Sequence, residues 1–289
     1  MKLVRLPLFS ASLLGLVLIG PLLRADDASA ESKLKEIVAH QKAFFAEAEK
    51  AGDKLDDENA RGQLQQIGND YETLIGRNPK FVPAYVAYGL FLGKVDNRKD
   101  AIGILLKANA LDKNIPVVKN QLGNYLAEEG RPIEAMNYYL SAIQLEPKEA
   151  LYHLQLGNLI FEARAEFLKS GQWDRSQLDK TMQNSLLQAM QCAPDDWRFG
   201  YRYGLSFYQV EKPDWDAALQ FWKDFEKKLP AGLQQGAARI NQAKVLIAKS
   251  QPDEAKTVLA SVTEPDLKEE KEKLITEIDA KAGASESTK

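Results

Sequence analysis

The chain has 289 residues, of which 45% are apolar and 27% are charged, and its formal net charge is −3. This composition is too apolar for a disordered chain and provides a core for one or two ordinary domains. Lysine and arginine are scattered among the acidic residues without a sustained basic stripe, so nucleic acid is not an expected ligand. The single cysteine, Cys192, excludes an intramolecular disulfide framework.

Residues 1–25 are predicted to be a secretory signal. Two basic residues precede an apolar run over residues 6–23, and small residues and acids follow the run. A Gly-Pro pair at residues 20 and 21 disfavours a stable span, so cleavage is expected near Ala25 or Ala30. The mature chain is then expected in the periplasm or outside the cell. The alternative is an inner-membrane protein held by an uncleaved N-terminal anchor. No later apolar segment approaches the roughly 20 residues of a spanning helix.

Residues 31–81 are predicted to form a helical hairpin or a degenerate repeat. Residues 31–50 provide one helix, and residues 62–81 read as a second helix that ends at Pro79. Proline ends helices because it donates no amide hydrogen and crowds the preceding turn.

A sequence repeat with a period of about 34 residues follows this segment, and a fixed period of this length is typical of repeat architectures. Gly89, Gly123 and Gly157 are equally spaced at this period. The same separation relates four further pairs, which are Ala101 and Ala135, Leu105 and Tyr139, Ala108 and Ala142, and Leu111 and Leu145. Within each unit these residues recur every three to four positions, which is one face of a helix. Each unit is therefore predicted to be two antiparallel helices, with small residues where the backbones come closest.

This pattern resembles the tetratricopeptide repeat family. The best copy spans residues 116–149, where Gly123, Ala135, Tyr139, Ala142 and Pro147 stand at family positions. The resemblance implies an all-α, right-handed superhelical solenoid of antiparallel helix pairs. About five repeats are expected over residues 82–269, and residues 270–289 are expected to be a capping helix and tail.

The later copies depart from this spacing. The third copy closes later than the period predicts, at Ala189 and Pro194, and an insertion around residues 162–177 supplies the difference. The insertion is expected to lengthen the first helix to about Ser170-Gly171. In the fourth copy, Ala217 and Phe221 are expected at the second-helix positions, with one extra residue before them.

The apolar residues of the insertion, which are Phe167, Leu168 and Trp173, allow two interpretations. We expect them to pack against the fourth unit. Otherwise they form an exposed ridge for a partner or a second copy of the chain.

Candidates for catalysis are few. Cys192 stands where Leu111 and Leu145 stand in earlier units, a position predicted to be buried, and cysteine behaves there as a small hydrophobic residue. His153 falls at a helix-packing position, and His40 has no visible partner for metal binding or base catalysis. We therefore expect no enzyme, no metal and no cofactor.

The resemblance also implies a binding surface, because in this family the first helix of each unit lines an inner groove that holds a peptide. The corresponding residues here are Asn120, Gln121, Asn124, Leu154, Gln155, Asn158, Phe161, Arg198, Tyr201, Arg202, Tyr208, Asn241 and Lys244. Asn124 and Asn158 are separated by one repeat period, and their amides are expected to bond the main chain of an extended peptide.

Arg198 and Arg202 lie one helical turn apart, so both guanidinium groups could reach one carboxylate of a ligand. This resembles part of the carboxylate clamp of some family members, but Asn120 and Leu154 stand where that clamp has lysine. The alternative is that the arginines pair with nearby acidic residues or lie in solvent, and that the asparagines are ordinary polar residues of a hydrated surface.

The sequence thus predicts a non-catalytic protein–protein interaction scaffold of the cell envelope that binds a polypeptide segment in the groove of a solenoid. The alternative is a structural or assembly factor that acts through self-association, as a homo-oligomer, or through convex-face contacts. A third class is an enzyme or a sugar-binding lectin built on the same solenoid.

Overall fold

The computed structural model describes residues 25–52 and 57–286, with side chains for residues 28–52 and 58–281. Apart from Ala25, the predicted secretory signal lies outside the described residues. Within the described ranges the regular structure is helical, without strands. None of these helices combines the length and the apolar character needed to cross a bilayer. The chain divides into two compact units, residues 1–84 and residues 85–289.

The first unit contains helices α1 (Ala25–Ala51) and α2 (Asp57–Arg77), which pack against each other. Their buried residues include Ile37, Phe44, Ile67 and Tyr71. The Tyr71 hydroxyl donates a hydrogen bond of 2.7 Å to the Gln41 side chain, so this buried phenol is satisfied across the pair.

Twelve further helices follow in the described part of the chain. They are α3 (Val82–Lys94), α4 (Arg98–Leu111), α5 (Pro116–Glu128), α6 (Pro132–Leu145), α7 (Ala150–Glu162), α8 (Arg164–Lys169), α9 (Arg175–Cys192), α10 (Trp197–Ser206), α11 (Trp215–Glu226), α12 (Leu233–Ala248), α13 (Pro252–Ala260) and α14 (Lys268–Glu286). A 3-10 turn, Pro265–Leu267, precedes α14. The first helices of successive pairs are α3, α5, α7, α10 and α12, and the second helices are α4, α6, α9, α11 and α13.

The three equally spaced glycines of the repeat occupy equivalent helix crossings. A Cβ atom on Gly89 would lie 2.6 Å from the Leu105 side chain, and one on Gly123 would lie 2.6 Å from Tyr139. A Cβ atom on Gly157 would lie 2.6 Å from Leu186, which is displaced along the sequence by the insertion. The prediction that glycine permits the close approach of these three helix pairs is confirmed.

The second helices repeat a pair of buried positions four residues apart. These pairs are Ala101 and Leu105, Ala135 and Tyr139, Met182 and Leu186, Ala218 and Trp222, and Ala255 and Leu259. In the fourth copy the expected Ala217 is wrong by one residue, because Ala217 is exposed whereas Ala218 is buried; the expected Phe221 does face Gly204, with Trp222 beside it. The turn between α10 and α11 occupies residues 207–214. Its length shifts the buried positions of α11 relative to those expected from the repeat spacing.

The insertion forms a separate short helix, so the expected single long helix is wrong. Helix α7 ends at Glu162, the backbone turns at Ala163 (φ −99°, ψ 24°), and α8 begins at Arg164. This turn lets Phe167 be fully buried on α8, which lies against α6 and α7 rather than against the fourth unit. Phe167 also packs edge-to-face on Trp173, with ring centroids 5.2 Å apart.

The contact between the insertion and the fourth unit is polar. The buried Asp179 carboxylate accepts hydrogen bonds from Arg175 Nε at 2.8 Å and from the Glu211 backbone amide at 2.7 Å. Arg164 lies 3.2 Å from the same carboxylate, and Arg175 also donates to the Gln209 carbonyl at 3.1 Å. We call these five residues the Asp179 clasp. It joins α8 and α9 to the turn between α10 and α11.

The prediction that Cys192 is buried is wrong, because its side chain is half-exposed. The residues at equivalent positions are also accessible, since Leu145 is half-exposed and Leu111 is exposed. All three are the final residues of their helices, where the chain leaves the helix pair.

Gly204→Ala is expected to destabilise the fold by about 1–3 kcal/mol, the usual cost of overpacking a core. The added Cβ would lie 2.4 Å from Trp222, which is fully buried, and 2.6 Å from Phe221, so both rings would have to shift. Gly103→Ala is the matched control, because nothing lies within 4 Å of its Cβ position on α4. That change should stabilise by up to about 1 kcal/mol through helix propensity. Urea unfolding followed by circular dichroism measures both, and equal effects would contradict the prediction.

Candidate functional site

The predicted groove residues lie on the first helices or directly after them. Helix α5 carries Asn120, Gln121 and Asn124; α7 carries Leu154, Gln155, Asn158 and Phe161; α10 carries Arg198, Tyr201 and Arg202; Tyr208 follows α10; and α12 carries Asn241 and Lys244. Of these helices, α5 and α7 lie side by side. We call the surface formed by α5, α7, α10 and α12 the first-helix face.

The α5 residues are engaged within the chain. The Tyr139 hydroxyl donates to Asn124 Oδ1 at 2.8 Å, and Asn124 Nδ2 donates to the Gln121 side chain at 3.3 Å. Asn120 is only 4% exposed, and its Oδ1 atom has no hydrogen-bond partner among the described residues. At this end of the face, Asn124 and Gln121 are therefore already hydrogen-bonded within the chain, whereas Asn120 is buried with an unpaired oxygen.

Asn158 makes a different contact from Asn124, although the two are equivalent in the repeat. Its Oδ1 atom accepts a hydrogen bond of 2.7 Å from Arg202 Nε. The Phe161 ring is flanked by the guanidinium carbons of Arg164 and Arg202, at 5.4 and 5.5 Å from its centroid. Cations over an aromatic face are attracted by the ring quadrupole. Burial lowers the pKa of both arginines.

The structure does not bring Arg198 and Arg202 to a shared partner. Arg198 pairs with Asp196 at 2.5 Å, which lowers the pKa of that carboxyl, whereas Arg202 bonds Asn158 and Gln209. Asp196 is also the N-cap of α10 and accepts from the Arg198 amide at 3.1 Å. A carboxylate clamp would thus require Arg198 to leave Asp196.

Two tyrosines of the predicted groove are connected through Asn241. The Tyr208 hydroxyl donates to the Asn241 carbonyl at 2.9 Å, and Asn241 Nδ2 donates to the Tyr201 hydroxyl at 3.3 Å. Asn241 is buried, and burial raises the pKa of Tyr208. Tyr201 also packs edge-to-face on Trp222, with centroids 5.4 Å apart. This tyrosine–asparagine bridge is therefore fixed both by hydrogen bonds and by ring packing.

The bridge connects the walls of two cavities. Tyr201 lines a cavity of about 290 Å³, which we call the tryptophan pocket, together with Trp197, Leu233, Gln234, Ala237 and Leu267. Tyr208 lines a cavity of about 680 Å³, which we call the C-terminal cleft, together with Lys244, Ile247, Ala248, Asp266, Glu269, Glu270, Lys273, Leu274, Glu277 and Lys281. Both volumes are near or within the range of about 300–1,000 Å³ that is usual for ligand sites.

Helix α14 forms one wall of the C-terminal cleft. Leu274 and Ile278 are its buried residues, and it packs against α12 and α13. Lys244, a predicted groove residue, pairs with Glu270 of α14 at 2.5 Å. Sequence reasoning assigned this helix only a capping role and missed Trp197 and Leu233. Both residues could have been noticed in the sequence, because each is an apolar residue at the first position of a helix: Trp197 follows the N-cap Asp196, and Leu233 follows the N-cap Gly232.

Among the described residues, no group of three or more His, Cys, Asp or Glu side chains is arranged to hold a metal ion. The His153 Nε2 atom lies 2.8 Å from the Pro147 carbonyl oxygen, and His40 is exposed on α1.

Comparisons with solved structures show which fold these helices form. PilF of Pseudomonas aeruginosa is 14% identical, with a TM-score of 0.55 over 89% of this chain and 100% of that chain. YrrB, described as a TPR protein with an unusual peptide-binding site, is 16% identical, with a TM-score of 0.52 over 66% of this chain and 89% of that chain.

PilW, described as a widely conserved type IV pilus biogenesis factor, is 14% identical, with a TM-score of 0.50 over 80% of this chain and 91% of that chain. No protein-family model matches the sequence, and no curated protein matches it. The similarity shows the fold: the predicted all-α solenoid of tetratricopeptide-like helix pairs is confirmed.

Proposed function

We propose that this chain, with its tetratricopeptide-like fold, is a non-catalytic scaffold that binds a segment of another polypeptide on its first-helix face. The observation that supports this most is the pair of cavities joined by the tyrosine–asparagine bridge. The tryptophan pocket is lined by aromatic and apolar side chains with one amide, as is typical of binding sites, whereas seven of the eleven residues lining the C-terminal cleft are charged.

The tryptophan pocket has the features of an anchor site. Trp197 is 38% exposed and Leu233 is 46% exposed, so apolar surface is accessible at its mouth. Its base is rigid because Tyr201 is held by Asn241 and by Trp222. A preformed base reduces the entropy lost on binding, and buried aromatic anchors supply most of the affinity in many interfaces.

We place the ligand anchor at α10 and α12 rather than at α5. The oxygens of Asn124 and Asn158 already accept hydrogen bonds from Tyr139 and Arg202. The polar surface of α5 and α7 would then extend the site and meet the main chain of a longer segment.

We also propose that the chain works in the cell envelope. Support comes from the order of basic, apolar and small residues over residues 1–30. N-terminal sequencing of the protein from its native cell should find a start after Ala25 or Ala30, and a start at Met1 would contradict removal of a signal.

A second candidate function is assembly through the outer surface of the second helices. Leu106 on α4 and Leu140 on α6 are 41% and 47% exposed and occupy equivalent repeat positions. Residues 136–145 and 181–192 of the neighbouring second helices carry no charged side chain. Sedimentation of the wild type and of Leu140→Asp tests this candidate, which requires a larger species that the substitution abolishes.

Panning a random peptide library against the full-length chain tests the groove proposal. We expect enriched peptides whose affinity falls at least tenfold in Leu233→Ser, by fluorescence anisotropy, because the exposed leucine lines the tryptophan pocket. Leu140→Ser is the matched control, since Leu140 is 47% exposed but lies on a second helix, and it should change affinity less than twofold. A lack of enrichment, or a stronger effect at Leu140, would contradict the proposal.

A further inference from the structure

We infer that the bound segment carries a lysine or arginine close to its apolar anchor residue, so that the anchor enters the tryptophan pocket and the basic side chain enters the C-terminal cleft. This inference rests on the proposed function, because it specifies which polypeptide segment that site prefers.

Both cavities are lined by residues of the 3-10 turn before α14. Leu267 of this turn lines the tryptophan pocket, and its neighbour Asp266 lines the C-terminal cleft. On the opposite side, Tyr201 and Tyr208 line the two cavities and are both bonded to Asn241. A segment that occupies both cavities therefore passes Asp266.

The end of the cleft nearest this turn is negatively charged. Asp266 of the 3-10 turn is followed by Glu269 and Glu270 of α14, and Lys244 neutralises only Glu270. Lys268, which stands between Asp266 and Glu269 in the sequence, is exposed and lies 3.9 Å from Glu272. Among the described residues, Asp266 and Glu269 make no ion pair, and both side chains are exposed. Lys273 lies about one turn further along α14 from Glu269, and beyond it Glu277 pairs with Lys281 at 2.7 Å.

The floor of the cleft suits the stem of a basic side chain. Tyr208, Ile247 and Leu274 contribute apolar atoms beneath the charged rim. Lysine and arginine bury their methylene groups along such surfaces while the charged head stays in water. A basic head would then meet the carboxylates of Asp266 and Glu269, whereas an acidic residue would be repelled by them.

The charge of the peptides enriched by panning tests the inference. We expect lysine or arginine beside an aromatic or aliphatic residue, and affinity that falls at least fivefold between 50 and 500 mM NaCl, because exposed charges are screened by salt. The double variant Asp266→Lys with Glu269→Lys should weaken these peptides at least tenfold. Both positions are exposed, so the fold should tolerate the change.

Glu272→Lys is the control for a single charge reversal on α14, because Glu272 is exposed and does not line the cleft. It should alter affinity less than twofold. Enriched peptides that are acidic or uncharged, or a double variant that behaves like Glu272→Lys, would overturn this inference and leave the proposed function standing. If no peptide is enriched at all, both the proposed function and this inference are contradicted.

Discussion

Asp179→Ala is expected to lower the free energy of unfolding by about 3–5 kcal/mol, the range measured when one partner of a buried ion pair is removed. Asp179 bonds Arg175 and the Glu211 amide, and Arg164 lies within ion-pair distance of it. The Arg164 side chain is 14% exposed, and its Nε atom has no partner among the described residues. Alanine would leave this guanidinium group buried without its counter-charge.

The control is an exposed ion pair of the same unit. Lys256 and Asp279 join α13 to α14 at 2.6 Å, and both side chains are about half exposed. Asp279→Ala should lower the free energy of unfolding by less than about 1 kcal/mol, because ion pairs at the surface contribute little to stability in water. Urea unfolding measures both variants. A cost for Asp179→Ala similar to that of Asp279→Ala would show that the clasp contributes only as a surface pair does.

The Asp179 clasp also connects the insertion to the proposed binding site. It fixes the backbone at Gln209 and Glu211, directly after Tyr208, whose side chain lines the C-terminal cleft. Amide hydrogen exchange at Glu211 should therefore accelerate in Asp179→Ala, since the amide loses its acceptor. We therefore propose that the insertion supports the C-terminal cleft in addition to packing on α6 and α7.

The repeating part of the fold could be predicted because its cause is local and periodic. One helix crossing is permitted by each of the glycines Gly89, Gly123 and Gly157. Their spacing can be read from the sequence without knowledge of the structure. The solenoid follows, since each pair leaves apolar surface that its neighbour must cover. The position of Tyr201 on α10 followed from the same register, whereas Tyr208 lies in the turn after α10.

Features set by contacts between distant segments could not be predicted in this way. The break at Ala163 depends on burial of Phe167 against α6, and the one-residue shift to Ala218 depends on the length of the turn after α10. The partners of Arg198 and Arg202 depend on side-chain geometry that repeat spacing does not encode. Likewise, a cavity between α12 and α14 requires knowing where the last helix packs.

Trp222→Ala is expected to destabilise the chain by about 3–5 kcal/mol, the usual cost of truncating a buried aromatic residue. Trp222 is fully buried and packs on Tyr201 and Phe225, with centroids 5.4 and 6.0 Å apart. Its loss also removes the support beneath the tryptophan pocket, so affinity for groove ligands should fall as well. Trp197→Ala should cost less stability, because Trp197 is partly exposed. Unfolding followed by circular dichroism avoids the change in tryptophan fluorescence.

A double-mutant cycle with Gly204→Ala identifies the cause of this loss. The new Cβ at residue 204 would clash with the Trp222 ring at 2.4 Å in the wild type, but that clash disappears once Trp222 is alanine. The two changes should therefore be non-additive by at least about 1 kcal/mol, as is found for residues in direct contact. Phe221 remains close to the same Cβ position, so some cost of Gly204→Ala should persist. Additive effects would mean that the ring does not limit the approach of α10 to α11.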